Sequence, residues 1–146
     1  MDTKKNACEF PKFNADQGEI KEILEKYKTI AVIGLSQKRD RPSNMVGQYM
    51  KEHGYKIIPV NPGQDKLIGE KCYAKLSDVP EDVDIVDIFR QSQYVPEIVE
   101  QAITKKCKVI WMQQGIVNNQ AADSAKAAGM IVVMDKCIKI EHMGRK

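Results

Sequence analysis

The chain has 146 residues, enough for one sizeable core and too few for two ordinary domains. With 42% hydrophobic and 29% charged residues it has a globular composition, and a net charge of +3 is too mild to indicate a nucleic-acid surface. No apolar run reaches the length of a membrane span, and residues 1–12 lack a signal-peptide core, so a cytoplasmic protein without membrane contact is expected. Cys8, Cys72, Cys107 and Cys137 show no metal-ligand or disulfide spacing, and no metal site is expected.

In chain order, residues 1–15 read as a flexible arm, and residues 16–146 as a single domain. Asp16 and Glu19 form a capping-box start for an amphipathic helix carrying Ile20, Ile23, Leu24 and Tyr27. Residues 29–34, "TIAVIG", are a continuous β-branched run, the pattern of a strand buried on both faces. Ser43 is expected to cap the next helix, with Val46, Tyr49, Met50 and His53 on one side and Gly54 as its stop. A second strand covers 55–62, an irregular connection with a short strand near 71–73 follows, and a third strand covers 83–89. A helix with Val95, Ile98, Val99, Ala102 and Ile103, a strand at 108–113, a helix at 119–128 and a strand at 130–135 complete the series. Strand and helix alternate, which predicts a doubly wound α/β fold: a Rossmann-like five-stranded parallel sheet of order 3-2-1-4-5, with helices on both faces and an added N-terminal helix.

Ligands of such sheets bind beyond the carboxyl ends of the strands. Position therefore nominates loop 34–43, Asn61 and Pro62, Phe89 and Arg90, Gln113 and Gly115, and Cys137. Gly34 permits a sharp turn, and the helix opening near Ser43 offers free N–H groups to an anion. The GxGxxG fingerprint is incomplete. The second strand ends in Asn61-Pro62 where an NAD site would place a carboxylate against the ribose diol, while Lys38, Arg39 and Arg41 lie in the preceding loop. That combination suits a nucleotide with an extra ribose phosphate, and both NADP and coenzyme A meet the description. A solvated charged turn is the alternative for these basic residues. Trp111 is expected in the core, His142 in a solvated tail, and Asp84 and Asp87 beside the third strand without a catalytic role.

The segments "GLSQKRDRPSNMVGQYM", "GYKIIPVNP", "VDIVDIFR", "VIWMQQGI" and "AGMIVVMDKCIKIEH" occur in the same order as in the small stand-alone CoA-binding domain proteins of bacteria and archaea, which the chain resembles over residues 20–142. Those proteins are related to the nucleotide-binding domain of the succinyl-CoA synthetase α subunit. The resemblance implies binding of coenzyme A or an acyl-CoA by a sensing or carrier module, with no established reaction and no catalytic residues. Carried over, it places Gly34, Ser36, Lys38, Arg39, Arg41, Ser43 and Asn44 about the phosphates and Val60, Asn61 and Pro62 along the adenosine. Phe89 and Arg90 fall where the synthetase domain has a proline-containing segment, and Gln113 and Gly115 match the turn after the fourth strand. Cys137, between Lys136 and Lys139, matches the family's cysteine and is the candidate for thiol chemistry; a buried, inert thiol is the alternative. An NADP-dependent oxidoreductase and a CoA-binding subunit of a larger acyl-CoA enzyme are the competing readings, with a homodimer or a separate catalytic subunit as the expected partner.

Overall fold

A computed structural model describes residues 9–144. Helix α1 (Gln17–Lys26) begins at a reciprocal cap: Glu19 N donates to Asp16 Oδ1 at 2.8 Å and Asp16 N donates to Glu19 Oε1 at 3.1 Å. The other elements follow as β1 (Thr29–Ile33), α2 (Pro42–Glu52), β2 (Lys56–Val60), a small hairpin of β3 (Lys66–Leu67) and β4 (Glu70–Lys71), and β5 (Ile85–Ile88). They continue with α3 (Val95–Lys105), β6 (Val109–Met112), α4 (Asn119–Ala127), β7 (Ile131–Val133) and α5 (Ile138–Gly144).

Five of these strands form one parallel sheet in the order β2-β1-β5-β6-β7. Apart from Thr29 and Lys56 at the starts of β1 and β2 and Asp87 within β5, the strands read as apolar runs because both faces are covered. Alternate residues of β1, such as Ala31 and Ile33, join the layer containing Val95, Val99 and Ala121, whereas Ile30 and Val32 join Leu24, Met50 and Ile138 on the other side. Trp111 is fully buried in this second layer, as expected, and its indole N–H donates to Lys136 O at 2.8 Å.

The expected class is therefore present, but the strand order 3-2-1-4-5 is corrected: the strand at residues 85–88 pairs with β1, not with β2. The outer edge of β2 is already taken by a one-residue parallel bridge. Tyr73 N donates to Pro59 O at 3.1 Å, and Asn61 N donates to Tyr73 O at 2.8 Å. With that edge satisfied, and only a 3-10 turn (Leu76–Asp78) following, the chain returns to the free side of β1.

The opposite edge is also closed. Asn14 takes both backbone groups of Met134, its Nδ2 donating to Met134 O at 2.8 Å and its Oδ1 accepting from Met134 N at 2.9 Å, so a side-chain amide stands in for a further strand. Residues 9–15, expected to be part of a flexible arm, are thus docked; residues 1–8, with Cys8, lie outside the described residues. Helix α5 also replaces the expected tail. His142 is buried in it, sharing a hydrogen bond of 2.8 Å with the Tyr49 hydroxyl, and is not solvated. Among the described residues no helix is long and apolar enough to cross a membrane.

Candidate functional site

The loop between β1 and α2 is built to hold its shape. Gly34 sits at φ +89°, and a Cβ there would lie 3.0 Å from Arg90 Cδ and 3.1 Å from Phe89 O, so both conformation and space require glycine. Its N–H donates to Val60 O at 2.8 Å, fixing the turn to the end of β2. Ser43 does not cap α2. Arg41 occupies that position without a side-chain bond, and Pro42 is the first helical residue. The Ser43 hydroxyl instead accepts from Ser36 N at 2.9 Å, Asn44 Nδ2 donates to Ser36 O at 2.8 Å, and Ser36 Oγ accepts from Lys38 N at 3.0 Å. Ser43 and Asn44 are buried braces, and the loop they hold presents Lys38, Arg39 and Arg41 to solvent. Gly47 completes the arrangement, since a Cβ on it would meet Leu35 Cδ1 at 3.1 Å; α2 packs there as closely as a side-chain-free position allows.

A cavity of about 220 Å³ opens at the carboxyl ends of β1, β2 and β5. Gly34, Val60, Pro62 and Arg90 line it, which brings together four of the nominated residues. Arg90 lies over the Tyr94 ring, 4.3 Å from its centroid. The wall also contains Lys75, Tyr94, Glu97 and Gln101, which sequence reasoning missed. Tyr94 comes from the 3-10 turn after β5 and Glu97 and Gln101 from the first two turns of α3, so carrying the positional argument one turn past Arg90 would have reached Tyr94. Lys75 belongs to this wall only because Tyr73 is bridged to β2.

Other nominated residues serve the scaffold. Asn61 Nδ2 donates to Leu35 O at 2.7 Å, and Phe89 packs against the layer beneath α2. Gln113 is buried, accepting from Ile138 N at 3.1 Å, and this bond sets the start of α5. Gly115, at φ +87°, donates its N–H to Asp135 Oδ1 at 2.7 Å, and Asp135 itself has φ +60°. Cys137 is half-buried between these turns. None of Gln113, Gly115 and Cys137 lines the cavity, although all three lie past the carboxyl ends of β6 and β7.

Titratable groups elsewhere differ in kind. Cys107 is buried ahead of β6, and desolvation pushes its thiol up to about 11; burial also raises the Cys72 thiol, against hydrogen bonds to backbone carbonyls. Asp87 lies within β5, not beside it, in register with Val32 and Trp111. It is fully buried, neither carboxyl oxygen has a hydrogen-bond partner, and desolvation raises its pKa well above the usual carboxylate range.

Comparison with known proteins identifies the family of the fold. A family model described as CoA binding domain matches residues 28–143. An uncharacterized Bacillus subtilis protein, YneT, is 44% identical over 129 residues, covering 88% of this chain and 96% of that protein. A solved hypothetical protein from Pyrococcus horikoshii superposes with a TM-score of 0.87 at 40% identity, covering 92% of this chain and 95% of that one. An ADP-forming acetate–CoA ligase of Archaeoglobus fulgidus is 36% identical over 83 residues, 56% of this chain but 12% of the ligase. The chain thus corresponds to a small part of such ligases, and it belongs to the CoA binding domain family.

Proposed function

We propose that this protein binds coenzyme A or an acyl-CoA at the carboxyl edge of its sheet and acts as a carrier, sensor or CoA-presenting module without autonomous catalysis. The observation that carries the reading is the braced loop: buried Ser43 and Asn44 bond to Ser36, and the loop they hold leaves Gly34, which lines the cavity, and carries Lys38, Arg39 and Arg41 exposed to solvent, outside the cavity lining. Asn61-Pro62 follows the end of β2, so no carboxylate stands at that strand end to repel a phosphorylated ribose. In this reading the basic loop takes the phosphates, and the adenosine lies against Val60, Pro62 and Tyr94. The pantetheine arm runs past Phe89 and Arg90 toward Gln113, Gly115 and Cys137. The ADP-forming ligases that contain a similar domain within much longer chains support a partner catalytic subunit as the recipient of the bound CoA. The proposed setting is the cytoplasm.

The test is calorimetry with coenzyme A, dephospho-CoA and NADP. Coenzyme A should bind more tightly than dephospho-CoA by about 1–3 kcal/mol, the scale of one or two charge-assisted hydrogen bonds. Equal affinities would remove the role of the basic loop, and tighter binding of NADP would overturn the ligand assignment.

A further inference from the structure

Asn119, the first residue of α4, is buried, and its polar groups are committed to the segment ahead of α1. Its backbone N and its Nδ2 both donate to Glu9 Oε2, at 2.7 and 2.9 Å; Nδ2 also donates to Phe10 O at 2.7 Å, and Oδ1 accepts from Lys12 N at 2.8 Å. The Glu9 carboxylate meets the positive end of α4, where a negative charge is favoured. Terminal segments ordinarily fray unless tied down, and here one asparagine gathers the ties. Further along, Asn14 holds Met134, and Lys126 lies 4.4 Å above the Phe13 ring.

The residue before this anchor faces the other way. Asn118 caps α4 through Ala121 N and donates from Nδ2 to Ser92 O at 2.9 Å, while Ser92 Oγ donates to Val117 O at 2.7 Å. Ser92 opens the 3-10 turn Ser92–Tyr94, which delivers Tyr94 beneath Arg90 at the cavity wall. Two sets of hydrogen bonds, joined by the peptide link between Asn118 and Asn119, therefore connect residues 9–12 to Ser92, and the backbone of the turn carries the connection on to that wall.

We propose that residues 9–15 form a strap that positions the candidate site: docking on Asn119 holds the 113–119 loop, and Asn118 passes that order to the Arg90–Tyr94 wall. Glu9, Asn118 and Asn119 are positioning residues that act without touching the ligand. The ligand arm of this inference rests on the proposed CoA reading, whereas the coupling of strap to turn does not.

Hydrogen exchange on the full, ligand-free chain tests the coupling in Glu9→Ala, which removes the carboxylate on the anchor without substituting a residue of α4, and in Asn119→Ala. Both variants are compared with the unaltered chain well below the thermal transition, with circular dichroism confirming that they are folded. Peptides covering 9–15 and 91–95 should both exchange faster in each variant, by about tenfold for an effect near 1.4 kcal/mol, with β1 and α2 unchanged. Affinities for coenzyme A and dephospho-CoA should fall together, each by about fivefold or more, because the basic loop is not part of the chain of bonds. A strap that stays protected in both variants overturns Asn119 as its anchor, and a freed strap with unchanged 91–95 peptides overturns the coupling. If the turn loosens as expected but the unaltered chain binds no coenzyme A, the ligand reading fails and the strap coupling stands.

Discussion

Replacing Asp87 by asparagine should make the protein progressively more stable, relative to the unaltered chain, as pH rises. The carboxyl is fully buried in the central strand with neither oxygen partnered, so burial favours the protonated form and raises its pKa well above the ordinary value. In the unfolded chain an aspartate loses its proton near pH 3.9, as about the standard value for this side chain. Between that pH and the folded pKa, the unfolded state binds fewer protons than the folded one, so stability falls as pH rises and levels off above the folded pKa. The slope reaches about 1.4 kcal/mol per pH unit, or about 3 kcal/mol over two units, a large share of a typical domain's stability. Asparagine keeps the shape and removes the titration. Urea unfolding at fixed ionic strength from about pH 4 to pH 8, on both proteins, isolates this one group because every other titration cancels in the difference. Parallel stability curves, or an unaltered protein that gains on the variant as pH rises, would refute the reasoning and mean that ionised Asp87 finds a partner.

Three further outcomes follow from the geometry. Arg41→Ala should weaken coenzyme A binding and flatten its salt dependence with the melting temperature nearly unchanged, since Arg41 is exposed and makes no side-chain capping bond; a large fall in melting temperature would show that the loop is structural. Trp111→Ala should cost roughly 3–5 kcal/mol in denaturant unfolding through loss of a fully buried aromatic and its bond to Lys136 O; a cost below that of a surface substitution would contradict the placement. In a Cys8→Ser background, CoA disulfide should form a mixed disulfide at half-buried Cys137, releasing one CoA thiol, before it modifies Cys72 or Cys107, whose thiols burial holds in the protonated form; peptide mapping that finds Cys72 or Cys107 modified first would return Cys137 to a packing role.

Local pattern alone carried most of the architecture. The unbroken apolar runs at 29–33 and 109–112 specify strands covered on both faces, and Asp16 with Glu19 specifies the start of α1, because these signals depend on neighbours within a few residues. The place of the candidate residues was legible for the same reason: alternation of strand and helix puts Gly34, Pro62 and Arg90 at the carboxyl end of the sheet wherever the strands stand in it. What local pattern does not contain is which edge is already occupied. The order β2-β1-β5-β6-β7 was decided by Tyr73 bridging to Val60, a contact across an irregular loop, and the docking of residues 9–15 was decided by Asn119, more than a hundred positions away. Side-chain roles divide along the same line. Sequence position brought Ser43, Asn44 and Gln113 to the edge, but tertiary structure turned their polar groups onto Ser36 and Ile138, since a buried donor or acceptor must find a backbone partner before any remains for a ligand.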